Sequence, residues 1–138
     1  MLKRNPINPV VTREDIPNIS PAVNDVSSVF NPGAVKFNGK YILLLRVQNR
    51  GRETFIMKAV SEDGVKFTVE PKVVDFKGLE LVKEKVYHIY DARITRLDGT
   101  YYVMFAMDMD KGCQLGLAQT DDFENFKFVG IASDGDVR

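Results

Sequence analysis

From residue 29 onward, short apolar runs alternate with turn-forming pairs. Residues 41–47 (YILLLRV), 54–60 (TFIMKAV), 101–107 (YYVMFAM) and 114–119 (QLGLAQ) are brief stretches rich in β-branched or aromatic residues, the pattern of strands. Asn38-Gly39 and Asp98-Gly99 each sit between two such runs, and Asx-Gly pairs supply the positive φ values of tight type I′ hairpins. Glu62-Asp63-Gly64 and Thr120-Asp121-Asp122 mark later turns. Residues 1–28 contain four prolines among several Asn, Asp and Ser, which predicts an extended arm with turns and no packed helix.

The turns expose a repeat. FNPGAVKFNGKYILLLRV, starting at Phe30, lies over YDARITRLDGTYYVMFAM, starting at Tyr90, at an offset of 60. AVSEDGVKF, from Ala59, lies over AQTDDFENF, from Ala118, at an offset of 59. Each unit reads as strand, Asx-Gly hairpin, strand, loop, strand, Asp-containing turn, strand. Four antiparallel strands per repeat of roughly 40 to 60 residues predict an all-β fold of β-propeller blades. Two unrelated β-meanders in a sandwich are the alternative. The expected division is an arm over 1–28 and the first two blades of an incomplete propeller over 29–138.

Blades bury both faces against neighbours, which accounts for the unbroken apolar run at residues 42–45. Two blades leave two faces uncovered, whereas propellers typically have about four to eight. The expectation is therefore a truncated or proteolysed portion, or a chain that restores its surfaces by self-association or by association with the missing blades. Composition agrees with a soluble globular piece: 138 residues, 44% hydrophobic, 28% charged, net charge zero. Scattered, balanced charge gives no case for nucleic acid or an anionic membrane as partner. No apolar run follows the basic start, which points to a cytoplasmic location. A single cysteine, Cys113, and a single histidine, His88, exclude an internal disulfide or a Cys/His metal cluster.

In the repeat, Asn31 and Asp91 occupy one position, seven residues before each Asx-Gly turn and at the entrance to each blade's first strand. First strands line a propeller's central channel, so an amide and a carboxylate are expected to share one space. Arg46 ends the apolar run, and a guanidinium there needs an anion, either Asp91 or a ligand. Asp91 and Arg93, at i and i+2 of a strand, read equally as an ion pair closing a blade. Asn31 before Pro32-Gly33 reads on local grounds as a turn residue. His88 reads as a satisfied packing or rim residue, and Asp108, Asp110 and Lys111 as a solvated loop. Tyr101, Tyr102 and Phe105 read as core, and Asp121-Asp122 as a blade turn.

The segments NPINPVVTREDIP, VFNPGAVKFNGKYILLLRVQ, YDARITRLDGTYYVMFA and LGLAQTDDFENFKFVG, closing with SDGDVR, resemble glycoside hydrolase family 130. These are inverting β-mannoside phosphorylases and related mannosidases with a five-bladed propeller. The resemblance spans essentially the whole chain but only the N-terminal part of a family member. It implies that Asp91, the acid of the D-x-R motif, is the sole catalytic acid. Asn31 of FNPG, Arg46 of LLLR and Arg93 make up the implied substrate-binding set, with Arg93 assigned more readily to orienting Asp91. Arg138 of DVR corresponds to a phosphate-site arginine. Ala92 stands where proline is frequent, and Pro32 where some members carry a small polar residue.

The implied chemistry explains a single carboxylate. Inverting glycosidases use two, one of them to activate water. Phosphate is already an anionic nucleophile, so a phosphorylase needs one acid and positive charge, which arginines supply. The implied partners are a β-mannoside oligosaccharide and inorganic phosphate as co-substrate, with no cofactor and no metal; the product is mannose 1-phosphate. The remaining phosphate ligands are expected beyond Arg138, so the chain by itself is expected to be inactive. A β-mannoside hydrolase of the same family and a noncatalytic carbohydrate-binding propeller fragment are the alternative functions.

Overall fold

The computed structural model describes residues 3–136. Two twisted sheets account for most of them. Strands β1 (Ser28–Phe37), β2 (Lys40–Gln48), β3 (Thr54–Ser61) and β4 (Thr68–Val73) form the first, antiparallel in the order β1-β2-β3-β4. The short β5 (Phe76–Lys77) then pairs in parallel with β9 (Phe126–Ile131) at the edge of the second sheet. The chain returns through β6 (Val86–Leu97), β7 (Thr100–Met109) and β8 (Gly112–Thr120), giving the order β5-β9-β8-β7-β6. The fold is all-β, and each sheet is a propeller-type blade.

Turn chemistry repeats as its sequence predicts. Asn38 and Gly39 have φ of 47° and 79°, and Asp98 and Gly99 of 49° and 89°, the doubly positive signature of a type I′ hairpin. In the later turns the Asp63 carboxylate accepts the backbone N–H groups of Val65 and Lys66, and Asp122 accepts those of Glu124 and Asn125. These N–H bonds, led by Lys66 and joined by the Ser61 hydroxyl, bring the Asp63 carboxyl down to about 2. Asp122 is lowered in the same way, first by the Asn125 N–H. The pair Asp121-Asp122 thus serves a blade turn, as expected.

The repeat also extends to a feature that its letters do not display. In β1 the register passes from Phe30 opposite Arg46 to Gly33 opposite Leu44, so Asn31 and Pro32 share one partner position. In β6 it passes from Tyr90 opposite Ala106 to Arg93 opposite Met104, so Asp91 and Ala92 do the same. Both first strands therefore carry a β-bulge at one repeat position, where the ladder is interrupted and Pro32 forfeits no hydrogen bond. Asn31 lies in this bulge and not in a turn.

One core lies between the sheets. Ile42, Leu44 and Ile56 of the first pack against Val103, Phe105 and Met107 of the second, with Phe76 and Phe123. Leu43, Leu45, Val47 and Met57 face the opposite way, so the run at 42–45 is buried on both sides. Their cover is the N-terminal arm. A 3₁₀ turn at Arg13–Asp15 and a bridge between Ser20 and Val23 fold it back, burying Ile16, Val23 and Val26 on that face. Two uncovered faces were expected; the arm dresses one. On the second sheet a shallow cleft of about 350 Å³ exposes Leu97, Tyr102, Met104 and Leu117 to solvent. Tyr101 and Phe105 are core as expected, whereas Tyr102 lies half-buried on this open side.

The blades are joined by polar groups as well. Lys58 of β3, 4% exposed, reaches the second blade and pairs with Glu70, Glu124 and the Phe123 carbonyl. Lys58 and Lys72 together hold the Glu124 carboxyl below its ordinary range. Thr54 Oγ1 donates to the Ile89 carbonyl at 2.9 Å. Among the described residues no helix is long and apolar enough to cross a membrane.

Candidate functional site

The two bulges face each other because the blades meet on a glycine. A Cβ on Gly33 would stand 2.7 Å from the Ala92 carbonyl oxygen and 3.3 Å from Ile94 Cγ1, so only glycine lets β1 lie this close to β6. Immediately beside this contact, Asn31 of the first blade meets Asp91 of the second. Asp91 adopts φ of 57°, a left-handed conformation that Asp tolerates better than most residues. The bulge is what permits it.

Arg46 crosses from β2 to the same carboxylate. Its Nη1 donates to Asp91 Oδ1 at 3.0 Å, with the two side chains 26% and 36% exposed. The guanidinium carbon lies 4.9 Å from the centre of the Phe30 ring and 4.6 Å from that of Tyr90. Arg46 Nε is buried without a hydrogen-bond partner among the described residues. Asn31 reaches its two charged neighbours in alternative amide orientations: in one its Nδ2 donates to Asp91 Oδ1 at 3.3 Å, and in the other its Oδ1 accepts from Arg93 Nη2 at 3.0 Å in place of that bond. Both bonds to Asp91 fall on Oδ1.

Arg93 does not pair with Asp91. The bulge breaks the alternation that places i and i+2 on one face, and Arg93 Nη1 instead donates to the Ala92 carbonyl at 2.9 Å. The blade-closing ion pair considered from spacing is thus replaced by Arg46 with Asp91, a contact between residues 45 positions apart. A cleft of about 410 Å³ opens beside them, lined by Tyr90, Asp91, Arg93, Met104, Ala106 and Cys113. Where the first repeat has Arg46, the second has Ala106.

Behind the cleft, Tyr90 Oη donates to Asp108 Oδ1 at 2.9 Å and lies 3.5 Å from Cys113 Sγ. Burial first, and then the bonds to Cys113 and Asp108, push the Tyr90 hydroxyl well above its ordinary range. Asp108 is consequently a strand residue of β7 and not part of a solvated loop. Asp110 is exposed and accepts the Tyr87 hydroxyl, and Lys111 pairs with Glu84. His88 is half-buried with Nδ1 enclosed and without a hydrogen-bond partner among the described residues, so it packs without being satisfied. Among those residues no group of three or more His, Cys, Asp or Glu is placed to hold a metal ion.

Arg138, the expected phosphate ligand, lies outside the described residues. The segment before it runs toward the cleft: Ser133 Oγ accepts the Leu115 N–H, and Asp136 Oδ1 accepts the Cys113 N–H at 3.1 Å. The site therefore gathers Asn31, Arg46 and Asp91 directly and Arg93 through the Ala92 carbonyl, or through Asn31 when its amide is turned away from Asp91. Gly33, Asp108 and the two rings escape a reading by residue type, although the alignment of Phe30 with Tyr90 marks their common position.

The family model described as beta-1,4-mannooligosaccharide phosphorylase, glycoside hydrolase family 130, matches residues 1–134. A beta-1,4-mannooligosaccharide phosphorylase of Ruminococcus albus is 25% identical, the match covering 86% of this chain and 35% of that protein. A beta-1,2-mannobiose phosphorylase of Listeria innocua is 25% identical, covering 89% of this chain and 48% of that one. The solved structure of the Listeria innocua enzyme with beta-1,2-mannobiose superposes with a TM-score of 0.76 at 24% identity, covering 93% of this chain and 50% of that chain. The chain thus spans about a third to a half of the length of these curated relatives.

Proposed function

The chain belongs to glycoside hydrolase family 130, and from that premise we propose that it supplies the acid side of a β-mannoside phosphorylase active site, with Asp91 as general acid. The observation that carries this reading is the convergence of Arg46 and Asn31 from one blade on the carboxylate of Asp91 from the next, at the edge of a cleft. A single carboxylate among the described residues that line the cleft, with Arg46 and Arg93 beside it, suits a reaction whose nucleophile arrives already charged.

In this reading the mannosyl residue of a β-mannoside occupies the cleft at Asp91. Asp91 gives its proton toward the glycosidic oxygen as the bond to the leaving sugar breaks, while phosphate attacks the anomeric carbon from the opposite face. The products are mannose 1-phosphate of inverted configuration and the shortened sugar. Asn31 and Arg46 hold the sugar and the carboxylate, and Arg93 steadies the Ala92 peptide. Arg138 joins the phosphate site, whose remaining ligands the rest of a full-length relative would provide; the chain alone is expected to leave β-mannosides intact.

The test is phosphate-dependent release of mannose 1-phosphate from β-mannobiose by the complete protein, native and with Asp91→Asn. Loss of the product in the variant supports the assignment. Release of free mannose without phosphate would instead make the protein a hydrolase.

A further inference from the structure

An isolated Arg46–Asp91 pair would not hold its geometry. Both partners are partly exposed, such pairs contribute little to stability, and arginine has many rotamers to lose. Yet Arg46 does not rest on Asp91 alone. Phe30 is its direct cross-strand partner in β1, and Tyr90 approaches from the second blade, each ring within cation–π range of the guanidinium. The two rings come from one repeat position, immediately before each bulge. The second repeat places Ala106, which carries no cation, opposite Tyr90, and Tyr90 is in turn anchored by its hydroxyl on Asp108.

We propose that Phe30 and Tyr90 are positioning residues that hold the Arg46 guanidinium against Asp91, and that Asp108, through the Tyr90 hydroxyl, fixes the second ring. The proposal rests on the reading of Asp91 as the acid, and it gives that reading a specific requirement: the cation must stay in place while the carboxyl gains and loses its proton. The buried Nε of Arg46, without an acceptor among the described residues, fits a side chain held by ring faces more than by hydrogen bonds.

The experiment follows the Arg46 Nε–H resonance by NMR in the ¹⁵N-labelled complete protein. The native signal is expected to be displaced by ring currents and protected from solvent exchange. Phe30→Leu and Tyr90→Leu should each move it toward the position of an exposed arginine and speed its exchange about tenfold. Tyr90→Phe should restore the ring-current displacement, while Tyr90→Phe and Asp108→Asn should each retain a measurably faster exchange. A Leu variant whose β2 and β7 backbone signals are native but whose Arg46 signal has not moved would overturn the proposal. Should the Leu variants fail to fold, unchanged exchange in both Tyr90→Phe and Asp108→Asn would overturn it equally. No sugar, phosphate or turnover enters this readout, so it stands or fails separately from the activity of Asp91.

Discussion

Gly33 and Ala92 touch across the two blades at a distance that admits no side chain: a Cβ on Gly33 would lie 2.7 Å from the Ala92 oxygen. This contact sets the spacing of the bulges on either side, and hence of Asn31 and Asp91. Gly33→Ala must push β1 away from β6. It is expected to destabilise the chain by about 1–3 kcal/mol, as overpacking of a tight contact does. Urea unfolding measures the loss, and a crystal structure of the variant should show Asn31 and Asp91 farther apart.

On the proposed reading Arg46 acts at the site more than in the fold. Because its pair with Asp91 is partly exposed, Arg46→Met should change stability by no more than about 1 kcal/mol. Turnover of β-mannoside by the complete protein should fall at least about tenfold, and Arg46→Lys should not restore it, because an ammonium lacks the planar face that the two rings accept. Thermal melts and initial rates on the same preparations separate the two effects.

Lys58 is the reverse case, a cation whose work is structural. Buried between the blades, it answers Glu70, Glu124 and the Phe123 carbonyl. Lys58→Met leaves Glu70 and Glu124 with Lys72 alone, on the exposed side, and removes the bond to the Phe123 carbonyl. The expected loss is about 2 kcal/mol, below the figure for a fully buried pair because both acids retain some access to water. A Lys58→Met/Glu124→Gln double variant should be less destabilised than the sum of the single changes, which a double-mutant cycle measures.

The blade turns set an acid limit. The folded Asp63 carboxyl lies at about 2, below its ordinary value of 3.8, and Asp122 is shifted the same way. A carboxyl lowered by folding stabilises above its unfolded pKa, and that contribution is lost as pH falls through the folded value. Stability should therefore decline between about pH 4 and pH 2 on account of these turns. Asp63→Asn/Asp122→Asn should flatten that decline and leave a less stable chain at neutral pH, as melting temperatures across the range will show.

Much of this was legible in the letters. The offsets of 60 and 59 foretell two equivalent sheets, Asn38-Gly39 and Asp98-Gly99 foretell their hairpins, and the unbroken run at 42–45 foretells a strand covered on both faces. The pairing of position Asn31 with position Asp91 follows from the same alignment. What was hidden depends on backbone geometry that residue type does not encode. Strand alternation sets Asp91 beside Arg93, and the bulge undoes it. Asp108 looks like part of an acidic loop because its partner, the Tyr90 hydroxyl, comes from a different strand. The arm looks loose because its apolar residues, Ile16, Val23 and Val26, are too sparse to form a run, yet they meet on one face of the first blade.

The role of Asp91 is tested most directly by one comparison. The complete protein and its Asp91→Asn variant are incubated with β-mannobiose and inorganic phosphate, and mannose 1-phosphate is quantified. The expected result is phosphate-dependent product from the native protein and none above background from a variant that melts at a similar temperature. A variant that forms mannose 1-phosphate at the native rate would contradict the assignment of Asp91 as the acid.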